Sequence, residues 1–358
     1  MSLWRLCAGV LLMCSVLSGS DAALDAATEG NWTFPCCHIT GGNLTYIPRI
    51  NITCDCLNFS NNTLRNITNE TFKNITFVKS LILHKDKIRN ISSYAFRNLT
   101  SLKYLDLQYN FIYPHDLVIA FQSLHHNIQI INLSRNRLKR FNGFVDVLIG
   151  KNITTLTLEY CRIEQTLNFS ELSLLKPLRV LSMGHNALYT TTGHVPSHLT
   201  NITLRDNYLR HLPRFCSNHT KVSQLRYLDL CDNNIYCLPR LHIECLTSLE
   251  YLYITNNQVG VIGSSTFTSL PRLGVIYLEN VFENANGHVY SYAFNNSVIK
   301  SLILNSLTAY GSFIGTVDPA CLGGCGGLLE LSLCYNDMAD ANNTFLIHFL
   351  EISVLFRP

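Results

Sequence analysis

Charge is scarce in this sequence. Only 14% of its 358 residues are Asp, Glu, Lys or Arg, against the roughly 25% of ordinary soluble domains. The formal net charge of +3 is too small to hold nucleic acid by itself. Disorder is excluded from the other side, because 47% hydrophobic residues carry too much apolar surface to stay unfolded. Beyond its N-terminal segment the chain has no apolar run of the ~20 residues that a membrane helix needs. The stretch FLIHFLEISVLF is short and broken by His348 and Glu351. Catalytic signatures are missing too: there is no HExxH, no GxSxG and no CxxC pair at zinc spacing. A non-enzymatic protein without cofactor or metal is expected, and the neighbours His125 and His126 read as solvent-facing residues.

What is present begins with an export signal. Arg5 precedes the apolar run Leu6 to Leu17, and the small residues of SGSDAA follow. Residues 1–22 therefore read as a secretory signal peptide. Cys7 and Cys14 leave with it, so twelve of the fourteen cysteines reach an oxidising compartment. Seventeen Asn-x-Ser/Thr sequons agree with export. Among them Asn58, Asn74, Asn98, Asn132, Asn152, Asn201 and Asn295 are glycosylation candidates, and sugars would supply the hydration that sparse charge does not.

A repeat organises the rest. Leu102-x-x-Leu105-x-Leu107-x-x-Asn110-x-Ile112 is a leucine-rich-repeat frame. It returns at Ile128, Leu178, Leu225, Leu249 and Leu328, and more loosely at Cys54, Val78, Ile153, Leu199, Leu273 and Ile299. That gives twelve repeats over residues 54–351, with starts 21 to 29 residues apart. Alternation at positions 4 and 6 predicts a short strand with one face inward. Asn at position 9 is suited to pair backbone groups of the adjoining turn. Since one repeat cannot bury its apolar edge alone, the repeats must stack. The fold expected is an α/β solenoid: a curved leucine-rich-repeat horseshoe with a parallel concave sheet. An F-x-x-L pattern (Phe72 with Ile75, Phe96 with Leu99, Phe267 with Leu270) fills its convex half.

The departures from the frame are informative. Cys161 replaces the ladder Asn and is expected to be a buried thiol. Val281 and Leu307 interrupt the ladder, beside FENANGHVYSYAF and LTAYGSFIGTVDPACLGGCGG, which read as inserted loops. CLGGCGG lacks the Lys-Ser/Thr of a phosphate-binding loop. Residues 23–53 form an N-terminal cap, and Cys36, Cys37, Cys54 and Cys56 predict two disulfides, with three pairings open. Cys216, Cys231, Cys237 and Cys245, and further on Cys321, Cys325 and Cys334, read as loop clips or free thiols. Ile352-x-x-Leu355 opens a thirteenth frame in residues 352–358, so the chain reads as incomplete, with an open strand edge that favours aggregation.

With this cap, these frames, the F-x-x-L half, the sequon load and the uneven repeat lengths, residues 30–358 resemble the ectodomain of a Toll-like receptor. The resemblance implies a pattern-recognition horseshoe that binds microbial or nucleic-acid ligands and dimerises upon binding. It also implies an extracellular or endosomal location and a single-pass membrane parent with a cytoplasmic TIR domain. The alternative reading is a secreted or cell-surface adhesion or matrix protein that binds other proteins.

Candidate contacts follow from the frame. Position 8, outward on the concave sheet, reads Lys85, Tyr109, Arg135, Tyr160 and His185 in successive repeats. At ~4.8 Å between strands they would form a basic-aromatic stripe roughly 20 Å long. Residues 135–226 hold 13 Lys/Arg against 5 Asp/Glu, a net of +8, whereas residues 227–358 hold 4 against 11, a net of −7. The basic middle suits nucleic acid or acidic glycans, an acidic patch on another protomer, or plain solvent. Sugars at Asn58, Asn132 and Asn201 would obstruct the concave sheet and favour a lateral edge, where Arg137 and Arg162 fall at position 10. A nucleic-acid ligand is expected to use Arg135, Arg137, Arg162, Arg205 and His185, with binding weakened by salt and tightened by acid.

Overall fold

The computed structural model describes residues 36–48, 54–139, 143–216, 224–282, 287–305 and 316–332. The expected signal peptide, much of the expected cap, Leu307, Cys334 and the expected thirteenth frame lie outside the described residues. Within them the chain is a curved solenoid. Thirteen parallel strands, from Cys36–His38 to Glu330–Ser332, bond to one another in chain order as a single concave sheet. The first belongs to the cap. Each of the other twelve occupies positions 3 to 5 of a frame, as Tyr104–Asp106 and Tyr227–Asp229 do. Like positions pair across the stack, Leu105 with Ile131 and Leu228 with Leu252.

The inward positions explain this register. Leu81, Leu83, Leu105, Leu107, Leu228 and Leu230 are all buried, each contributing roughly 1.5–3 kcal/mol. A slip of one residue would turn them to solvent. The ladder behind them closes the backbone account. Asn110 donates from Nδ2 to the carbonyls of Leu83 (2.8 Å) and Leu107 (2.9 Å), and its Oδ1 accepts from the N–H groups of Asp86 and Ile88. Asn136, Asn186, Asn207, Asn233 and Asn257 repeat the pattern. Cys161 fills the same place as a buried thiol, its Sγ 3.2 Å from the Leu133 carbonyl, and burial pushes that thiol up to about 12.

Aromatic rings fill the convex side. Phe72, Phe96, Phe121 and Phe144 form a run with centroids 5.6 to 5.9 Å apart. The expected loops prove more regular than their sequence suggested. His288–Val289 joins Val261–Ile262 and Thr316–Val317 in a convex three-stranded sheet, and Phe294 stacks on Phe267 at 5.5 Å. Leu322 and Cys325, both buried, take the places of Phe and Leu in an F-x-x-L pair. The convex halves of these repeats read as loops because Val281 and Leu307 replace the ladder Asn, and in the second of them Leu322 replaces the aromatic residue.

The cap disulfides pair Cys36 with Cys56 and Cys37 with Cys54, tying the first strand to the second. A third joins Cys216 to Cys245, while Cys161, Cys231, Cys237, Cys321 and Cys325 are free.

Candidate functional site

Position 8 is a turn. The concave strands end at position 5, and the position-8 residues adopt left-handed backbone, from Lys85 (φ 59°) through Tyr109, Arg135 and Tyr160 to His185 (φ 56°). The stripe therefore runs along the flank beside the strand ends and not over the sheet, which corrects the placement expected from sequence. Each of these residues donates its backbone N–H to the position-7 carbonyl of the following repeat: Tyr109 to Ser134 (2.9 Å), Arg135 to Glu159 (2.7 Å), His185 to Arg205 (2.8 Å). The bonds hold successive turns in line. Left-handed backbone is unfavourable for residues with side chains, and here the repeated inter-turn bonding enforces it.

The side chains interleave. Lys85 Nζ lies 5.0 Å from the Tyr109 ring, and the Arg135 guanidinium is inserted between Tyr109 (4.7 Å) and Tyr160 (3.7 Å). Tyr160 stacks on His185 at 4.0 Å and 6°, and His185 Nδ1 meets Asp206 Oδ2 at 2.7 Å. Cation and ring thus alternate over five repeats, and an acid closes the row at the sixth. A second file runs beside it through positions 10 and 12. Arg89 (5.5 Å) and Arg137 (4.7 Å) both lie over Phe111, and Arg137 donates to the Tyr113 hydroxyl at 3.1 Å. Arg89, Phe111 and Tyr113 were not singled out from sequence, although periodicity through positions 10 and 12 would have found them.

Two expected residues stand apart. Arg162 is exposed at position 10, with no stacking or hydrogen-bonding partner among the described residues. Arg205, at position 7, is half-buried and bound to Asp232 at 2.8 Å. Stacking covers the faces of the Arg135 guanidinium, yet the residue stays exposed. Its N–H groups bond to no other described residue, so their edges face solvent. That geometry suits an anion in the guanidinium plane, with the charge held in place by the rings.

The sequons divide by exposure. Asn74 and Asn152 are exposed, and Asn58, Asn98, Asn201 and Asn295 are half-buried. Asn132 is only 8% exposed, and its Oδ1 accepts from the Ser134 N–H at 3.1 Å. Among the described residues no group of three or more His, Cys, Asp or Glu is placed to hold a metal. No helix among them is long and apolar enough to cross a membrane.

Comparison with known proteins agrees with this architecture. Residues 56–112 and 197–259 match the leucine rich repeat family. Osteomodulin of Rattus norvegicus is 27% identical over 158 residues, which is 43% of this chain and 36% of that protein; the chain thus spans well under two thirds of that relative. Among solved structures, a leucine-rich-repeat protein of Leptospira interrogans superposes with a TM-score of 0.63 at 19% identity, covering 84% of this chain and 78% of the other. The TLR13–ssRNA13 complex gives 0.58 at 19% identity, covering 78% of this chain and 43% of that one. By its frames, its sheet and these likenesses, the chain is a solenoid built of leucine-rich repeats.

Proposed function

We propose that the chain is the extracellular recognition region of an innate-immune receptor of the Toll-like kind, and that it takes an anionic ligand along the Lys85–His185 flank. The observation that carries this reading is the interleaved row. Arg135 is clamped between Tyr109 and Tyr160, so its charge is held in place before a ligand arrives and little ordering cost remains. The disulfides and the sequon load support an extracellular or endosomal setting.

Single-stranded RNA is the probe to use, with DNA beside it, at pH 7.5 and pH 5.5 over a salt series. Binding should weaken as salt rises, with a slope of about 0.7 per phosphate contact for a single strand. It should tighten at pH 5.5, where histidines gain charge. Arg135→Glu should reduce affinity at least about ten-fold, since it removes a stacked cation and adds a repulsive charge. RNA and DNA that fail to bind, or that bind the variant equally well, would remove the anionic-ligand reading.

The second reading is an adhesion or matrix protein that binds other proteins. The identity shared with osteomodulin favours it. Transcript sequence beyond Pro358 separates the two: a membrane helix and TIR domain support the receptor, a cysteine cap and stop the matrix protein.

A further inference from the structure

From the eighth repeat on, just past the end of the basic flank, the concave sheet changes character. On the described strands outside repeats eight to ten, positions 3 and 5 are mostly small or aliphatic: Ser80, Thr155, Val180, Ser182, Thr203 and Ser301 are examples. On three adjacent strands, Tyr227–Asp229, Tyr251–Tyr253 and Val275–Tyr277, four of the six such residues are tyrosine. The register sets Tyr227 beside Tyr251 and Tyr253 beside Tyr277. Their rings form one cluster: Tyr227 to Tyr253 5.4 Å, Tyr253 to Tyr277 5.0 Å, Tyr227 to Tyr251 6.3 Å. Tyr251 is 41% exposed. The hydroxyls of Tyr227, Tyr251 and Tyr253 bond to no other described residue. Burial pushes the phenols of Tyr227 and Tyr253 up, so both stay neutral donors.

Beside the cluster is an acid without a counter-ion. Asp232 is held by Arg205 at 2.8 Å and Glu250 by Arg226 at 3.5 Å. Glu279, two residues beyond Tyr277, is half-buried and pairs with no cation among the described residues. The segment 227–358 carries a net of −7, from 4 Lys/Arg against 11 Asp/Glu. The three strands themselves carry no sequon, although Asn201 lies on the adjoining strand beside Tyr227, and Asn218 and Asn342 fall outside the described residues. Fourteen of the seventeen lie at or before Asn201, and Asn295 follows the convex Phe294, away from the concave strands.

We infer that the concave face of repeats eight to ten binds a protein partner through an extended basic segment, whose Arg or Lys side chains lie against Tyr227, Tyr251 and Tyr253 and reach Glu279. Ring faces and an unpaired carboxylate both attract cations. Tyrosine clusters are the residue class that anchors protein interfaces. Phosphate chains are repelled by the net negative charge of this end, and three adjacent strands with no sequon of their own leave room for an extended segment on the side away from Asn201. This surface begins in the repeat after the one in which Asp206 closes the lateral row, and none of the five residues of that row belongs to it.

The test uses the secreted, glycosylated chain and fluorescein-labelled Gly/Ser peptides carrying arginine at alternate positions, with a glutamate series as control. The arginine peptides should bind and the glutamate peptides should not. Tyr251→Ser and Glu279→Gln should each weaken binding about three- to five-fold, the size of one cation–π or exposed ion contact. Glu279→Lys should shift preference toward the glutamate peptides, whereas Arg135→Glu should change nothing. Equal binding of both series, indifference to Glu279, or dependence on Arg135 would overturn the assignment. RNA binding lost with Tyr251→Ser would overturn it in favour of a nucleic-acid site. Self-association that Glu279→Gln abolishes, without arginine-peptide binding, would overturn it in favour of a second copy of the chain.

Discussion

In the second repeat an aspartate, Asp86, stands at the ladder position that its neighbours fill with asparagine. It is buried. Its Oδ1 accepts the Asn62 N–H, while Oδ2 has no partner. Where asparagine would donate to two carbonyls, an ionised carboxylate can only accept, so burial raises the group to about 7 from 3.8. The Asn62 bond and His84 oppose the rise, and Asp106 adds to it. The folded chain therefore holds this proton more tightly than the unfolded chain does. Its stabilising contribution is complete below about 3.8, shrinks as pH rises through the window to about 7, and is lost above it. Asp86→Asn should restore the missing donor, raising stability at pH 8 by about 1–3 kcal/mol and by much less at pH 5. Urea unfolding of both proteins at the two pH values checks this; an equal gain at both would show that protonation is not the cause. The substitution is plain in the frame, but its consequence appears only with the burial and the orphaned oxygen.

Connections between repeats were less legible than the repeats themselves. The frame specifies residues that return at a fixed interval, whereas Cys216 lies in the segment preceding the eighth repeat and Cys245 on its convex side. Nothing in their spacing favoured that pair over Cys231 or Cys237. The structure brings Cys216 and Cys245 to 5.5 Å between Cα atoms across a separation of 29 residues. Closing a loop of that length restricts the unfolded chain by about 3–4 kcal/mol. Replacing both with serine should cost that much in urea unfolding, with early loss of amide protection in the eighth repeat. Protection lost evenly along the solenoid would contradict a local role. The frames at Leu273, Ile299 and Leu328 were legible, but the segments between them read as inserted loops for a related reason. Without the ladder Asn and with Leu322 and Cys325 in place of Phe and Leu, the cues are gone, although the same volumes are filled.

Across the molecule, sequons and charge divide the chain into two unlike halves. The order of the rows was visible in the sequence, because the interval is regular and position 8 could be counted. Their placement was not, since the left-handed turn that carries them onto the flank depends on bonds between neighbouring repeats. Solvent access to the sequons was hidden for the same reason. Glycopeptide mapping of the secreted chain should find sugar at the exposed Asn74 and Asn152 and none at Asn132. The Asn132 amide is buried in the sheet, with its oxygen already bonded to Ser134. Full occupancy at Asn132 would mean that modification precedes folding of the fourth repeat.

The asparagine ladder also bears on how such a surface changes over generations. Turn geometry is secured by position 9 and by main-chain bonds from each turn to the next, so the side chain at position 8 has no part in holding the backbone. Mutation can replace Lys85, Tyr109, Arg135, Tyr160 or His185 one rung at a time while the scaffold is inherited intact. Because every repeat joins its neighbours through the same register, duplication of a whole repeat adds a rung without creating a new kind of junction. What the chain recognises is thereby free to drift under selection, while the means of holding it together is passed on unaltered.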